Sequence, residues 1–232
     1  MSFSQNNHLN TEMPNSIDGS AQPTRRRMNT VERKRQILNG AIQFFAKNGI
    51  DGQLRNLTKE LGVTHTLLYH YFPTKEALIQ EVYREVFESR WKPQWEELLD
   101  DKKLSPEEKL NAFYIDYSNT VLTYDFVRIL LFSGLSEHSI SDRFFELLRL
   151  RLLPRLIRET RKFCKRSTRS KPSQRELELL MGLHGGIFYI GMRRWVYGQS
   201  IYVSDNQNTD KEIIQDRVRS YLLSAQSIFT SQ

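Results

Sequence analysis

Cysteine is nearly absent: Cys164 is the only one in 232 residues. No disulfide can close within one chain, which fits a reducing compartment. Long apolar runs are missing too. Nothing approaches the roughly 18 residues of a membrane-spanning helix, so no membrane partner is expected. The five histidines are scattered, without the spacing of a nucleophile and its base or of a metal-ligand set. An enzyme is therefore not expected, nor a metal or cofactor. There is no glycine-rich phosphate loop, convincing strand pair or internal repeat. The opening stretch "MSFSQNNHLNTEMPNSIDGSAQPT" lacks the basic and apolar regions of a secretory signal. It is polar and carries two prolines, so residues 1–28 read as a disordered tail with a basic end.

What is present is positive charge, unevenly placed. The net charge is +7. Residues 25–76 carry ten Lys/Arg against four Asp/Glu, and residues 149–175 carry eleven against one, so the remainder is net acidic. An anionic partner is favoured. The second basic zone reads as a solvated helix face, with an anionic ligand or a phosphate backbone as the alternatives. Arg25, Arg26 and Arg27 suit either a minor-groove arm or a solvated run.

The remaining pattern is helical. Asn29 with Glu32, Ser105 with Glu108 and Ser173 with Glu176 have the spacing of capping boxes. Ile37, Leu38, Ala41, Phe44 and Phe45 form an apolar stripe ended by Asn48-Gly49. Leu54, Leu57 and Leu61 share the face of a second helix. A third is predicted from Thr64 to Phe72, stopped by Pro73. A fourth runs unbroken from Thr74 to Trp91. The helix opened by the Ser105 box is expected to run to Asp125. A long helix over 142–164 is expected to kink at Pro154, and two more cover 173–198 and 210–229. Gly182, Gly185, Gly186 and Gly191 in the first of these fit dimer packing, a pocket wall or a local break.

The stretch "GVTHTLLYHYFPTKEAL" at 62–78 carries the chemistry. Two short helices joined at Leu61-Gly62-Val63-Thr64 make a helix-turn-helix, whose second helix enters a DNA major groove. Thr64, His65 and Thr66 are short donors and acceptors at its start, and Leu67 suits a thymine methyl group. Tyr69, His70 and Lys75 suit phosphate oxygens, with Arg55 as a further DNA contact. Leu68 and Phe72 should face the core.

"ILNGAIQFFAKNGIDG", "LTKELGVTHTLLYHYF" and "PTKEAL" together resemble the N-terminal domain of TetR-type bacterial transcriptional regulators. Gln53 stands where that family often has threonine. The resemblance implies an all-α chain: a helix-turn-helix domain over 29–76, then a helical ligand-binding and dimerisation domain over 77–232. It implies a homodimer on a palindromic operator, usually a repressor released by a small molecule, in the bacterial cytoplasm and at its nucleoid. Candidate ligand contacts are Tyr114, Tyr117, Phe132, His184 and Phe188, among bundle aromatics that are otherwise mostly core. His184 reads as either a core histidine or a ligand contact. The competing reading is a helical carrier or sensor whose helix-turn-helix no longer binds DNA.

Overall fold

The computed structural model describes residues 29–136, 140–199 and 209–230, so the expectations for the tail and for Arg25–Arg27 lie outside the described residues. The order is α1 Thr30–Asn48, α2 Leu54–Leu61, α3 His65–Tyr71, α4 Lys75–Tyr83, α5 Gln94–Asp100, α6 Pro106–Val121, α7 Tyr124–Leu135, α8 Ile140–Leu147, α9 Leu153–Phe163, α10 Gln174–Trp195 and α11 Thr209–Thr230. The fold is all-helical, with no strand among the described residues. None of the described helices is long and apolar enough to cross a membrane.

Local chemistry sets several starts. Asn29 accepts from the Glu32 amide at 2.8 Å, and Glu32 reaches back to the Asn29 amide at 3.1 Å. The boxes at Ser105 and Ser173 form likewise. Three orphan amide sets are thus satisfied by their own side chains. At Gln53 no side chain caps α2.

Other helices differ from the pattern. The chain from Thr74 does not run straight to Trp91. It widens to a π-helical turn over Arg84–Glu88, and a separate short helix, α5, follows Pro93. The kink expected at Pro154 is a π-helical turn over Leu148–Leu152 just before it. Proline has no N–H to return to the carbonyl four residues earlier, so the preceding turn widens. The Leu153 amide bonds instead to Leu148 O. The helix opened by Ser105 ends at Val121, and α7 is a helix of its own.

The N-terminal core forms where Ile37, Ala41 and Phe45 of α1 bury with Leu57, Leu68 and Phe72. The chain leaves this core through α4. Val82, Val86 and Phe87 are buried, and the Phe87 ring sits 4.8 Å from Phe126 of α7 and 5.8 Å from Phe144 of α8. One continuous segment therefore packs into both parts of the molecule.

The turn between α2 and α3 depends on Gly62, at φ 62 and ψ 33. Its amide bonds to Lys59 O and Thr58 O, and the Val63 amide bonds to Thr58 O at 3.0 Å. A Cβ on Gly62 would meet nothing within 4 Å, so only backbone strain opposes a side chain there. Gly62→Ala should cost about 1 kcal/mol. A thermal melt reads this, and an unchanged midpoint would contradict it.

Candidate nucleic-acid interface

α3 has seven residues, and burial divides it into two faces. Leu68 is 1% exposed, inside the core, whereas Thr64, His65, Thr66, Tyr69 and His70 face solvent. One turn of helix separates His65 from Tyr69, and their rings stack with centroids 6.2 Å apart at 27°. The outer face of α3 is thus a continuous aromatic and hydroxyl surface rather than isolated side chains.

The threonine at its start has two tasks. Thr64 Oγ1 accepts the Leu67 amide at 3.1 Å, which caps α3 and fixes its axis. The hydroxyl keeps its proton for donation outward. Thr74 caps α4 in the same way, accepting from Ala77 N at 3.0 Å. Lys75 follows it at the first position of α4 and is half-buried, and Arg55 in the first turn of α2 is exposed. Leu67 is partly buried and packed against the core, so it serves packing as well as any outward contact.

Of the candidate ligand contacts, the structure brings three together. Tyr114 and Tyr117 of α6 meet His184 of α10, with centroids 6.1 Å and 5.2 Å from the imidazole. The Tyr117 hydroxyl lies 3.3 Å from His184 Nε2. His184 Nδ1 and the Tyr114 hydroxyl are buried and find no hydrogen-bond partner among the described residues. Desolvation lowers the His184 pKa to about 4 and raises those of both tyrosines. Phe188 is partly buried against the same core. Phe132 lies elsewhere, close against Gly49 at the end of α1 and 5.4 Å below the Arg128 guanidinium. Among the other bundle aromatics, read from the sequence as mostly core, Phe145 and Tyr189 are half-exposed.

Arg128 was not singled out by the sequence, because it sits in a helix whose separate existence the pattern hid. Its Nε donates to Ala46 O at 2.5 Å, Nη1 to Trp195 O at 3.2 Å and Nη2 to Lys47 O at 3.4 Å. One guanidinium thereby caps the carboxyl ends of α1 and α10, where orphan carbonyls and the helix dipole favour a cation. Arg90 ties the same region, donating to Thr123 and Asp125. Among the described residues no group of three or more His, Cys, Asp or Glu is arranged to hold a metal.

Residues 37–82 match the model of the family described as bacterial regulatory proteins, tetR family. The chain is 30% identical over 115 residues to the HTH-type transcriptional regulator RutR of Escherichia coli K12, covering 49% of this chain and 47% of that protein. It is 32% identical over 71 residues to the HTH-type transcriptional regulator LuxR of Vibrio harveyi, covering 30% and 35%. The match therefore spans less than half the length of either relative. Among solved structures, a TetR-like transcriptional regulator from Rhodococcus sp. RHA1 superposes with a TM-score of 0.59 at 16% identity, over 85% of this chain and 99% of that one. A TetR family regulator from Pseudomonas syringae gives 0.54 at 14%, over 82% and 95%. These likenesses extend the shared fold through the helices beyond residue 82.

Proposed function

We propose that this chain, which belongs to the TetR family of bacterial transcriptional regulators, represses transcription as a homodimer whose α3 helices read operator DNA until a small molecule releases them. The observation that carries the reading is the division of α3: Leu68 is locked inside while His65, Thr66, Tyr69 and His70 share one solvent face. Short polar groups at the helix start suit base edges, and Tyr69, His70, Arg55 and Lys75 suit phosphates. Selecting bound duplexes from a random library tests this: one palindromic sequence should be enriched, and no enrichment would refute it.

Dimerisation is supported by the outer face of α10 and α11. Met181, Tyr189 and Leu223 are exposed there, and a groove of about 510 Å³ runs along Gly182, Gly186 and Ser220. A Cβ added at Gly182 or Gly185 meets nothing within 4 Å, so another helix can approach closely. Gly191, by contrast, fits against Val127 and Leu122 within the chain. A two-fold pair presents two α3 helices to half-sites a whole number of turns apart.

Ligand release is supported by the elements that reach both parts of the chain, α4 and Arg128. A ligand that prefers one separation of the two α3 helices shifts the population toward it. Tyr114, Tyr117, His184 and Phe188 are the proposed contacts. Arg128→Met removes the clamp between α1 and α10 and should destabilise the fold by about 2 kcal/mol. It should also weaken operator and scrambled duplex together, because no base contact is lost. Denaturant unfolding and paired DNA titrations read the two effects. A selective loss on operator alone would place Arg128 in the reading surface instead.

A further inference from the structure

The basic zone over 149–175 is not one uniform charged face. Arg151, Arg155 and Arg158 pair with Glu96 and Asp100 of α5. Arg166, Lys171 and Arg175 have no carboxylate partner among the described residues. These three converge on a cavity of about 440 Å³, between the loop after α9 and the end of α11.

The walls are built, not incidental. α9 ends with Lys165 at φ 55, the Lys165 amide on Lys162 O at 3.0 Å and the Arg166 amide on Arg161 O at 2.8 Å. This reversal turns Arg166 back until its guanidinium lies 5.3 Å from the Phe229 ring. Arg175 reaches the same ring from α10, at 5.9 Å. The buried Arg161 fixes the third wall. Its two bonds to Glu176 are 2.6 Å and 2.7 Å, and its outer N–H groups hold Ser170 O at 2.6 Å and Lys171 O at 3.0 Å. Arg161 and Glu176 neutralise each other, and that carboxyl is held at about 2, first by the Arg161 hydrogen bonds. The three other cations remain uncompensated in one concavity, which focuses positive potential into it.

The cavity is remote from the DNA-reading end. Arg128 joins the carboxyl end of α10 to Ala46, while the cavity lies at its amino end. The 22 residues of α10 span about 33 Å. Its volume suits a small molecule and not a duplex.

We propose that this cavity binds a small phosphate-bearing polyanion, with the forked guanidinium groups of Arg166 and Arg175 and the Lys171 ammonium holding its phosphate oxygens. The site is separate from α3 and from the aromatic cluster at His184, so it stands whether or not those bind as proposed.

Equilibrium dialysis of the full chain against labelled inorganic pyrophosphate, at fixed ionic strength and without DNA, tests it. One saturable site per chain is expected. Affinity should fall at least tenfold in Arg166→Gln and in Lys171→Gln, both exposed positions whose variants should keep the wild-type melting midpoint. Arg149→Gln, at an exposed position of the same zone outside the cavity, should bind as wild type. Non-saturating uptake, or an equal loss in Arg149→Gln, would reduce the site to diffuse charge and overturn the proposal. The phosphate could instead belong to duplex DNA. In that case Arg166→Gln would flatten the slope of log affinity against log salt on DNA by about one per lost contact in each subunit. An unchanged DNA slope is the expected result.

Discussion

Glu159→Leu is expected to destabilise the protein by about 3–5 kcal/mol, the loss typical of a buried charge left alone. Glu159 is fully buried, and Lys109 opposite is 2% exposed. Lys109 Nζ donates to Glu159 Oε2 at 3.0 Å and has one further partner, Leu99 O at 3.3 Å. Arg158 and Lys162 donate to the other carboxylate oxygen at 2.9 Å and 2.8 Å, but both reach solvent and can rehydrate. Burial pushes the Glu159 carboxyl up, yet the hydrogen bonds from Lys162, Lys109 and Arg158 outweigh it and hold it below the usual range. Lys109 is the group that cannot recover once the carboxylate is gone. Replacing both partners, as Lys109→Met with Glu159→Leu, should restore much of the loss, since an apolar pair of similar volume carries no desolvation penalty. Denaturant unfolding of the two single variants and the double variant decides. A double variant less stable than Glu159→Leu would contradict the account.

Acidification should cost about 3 kcal/mol by pH 4 through His184. Its imidazole is buried against Tyr114 and Tyr117, and desolvation alone lowers its pKa to about 4 from the ordinary 6.5. The folded state thus favours the neutral ring, while the unfolded chain takes up a proton near pH 6.5. Stability from this source is complete above pH 6.5 and declines as pH falls toward 4. The Glu159 and Glu176 carboxyls, both depressed in the fold, add their losses only below about pH 4.5. The interval from 6.5 to 4.5 therefore isolates the histidine. His184→Gln should flatten the stability curve across it, and a decline equal to wild type would exclude His184 as the cause.

What was legible in the sequence was local. The Asn29, Ser105 and Ser173 boxes form because the partners lie three residues apart. The turn at Gly62 and the cap at Thr64 are likewise set within a few residues, so the helix-turn-helix and its outward side chains could be read directly. The start of α7 was hidden because Thr123 makes no side-chain cap and donates to Asp125 instead. The π-helical turns at 84–88 and 148–152 leave the apolar spacing helical, so periodicity carries no mark of them. The Arg128 clamp joins residues 82 positions apart, and the Tyr117–His184 contact spans 67. Such meetings depend on how the helices pack, and for the same reason Phe132 fell beside α1 rather than beside His184.

The central claim, that α3 reads bases while Lys75 positions the backbone, is tested most directly by affinity on two duplexes, one selected by the wild-type protein and one scrambled. Measurements at several salt concentrations compare wild type with His65→Ala and Lys75→Ala. His65→Ala should lose roughly 1–3 kcal/mol on the selected duplex and leave the scrambled one nearly unchanged. Lys75→Ala should weaken both and flatten the salt slope by about one per subunit. Equal weakening of both duplexes by His65→Ala, with altered base preference in Lys75→Ala, would contradict this orientation of α3.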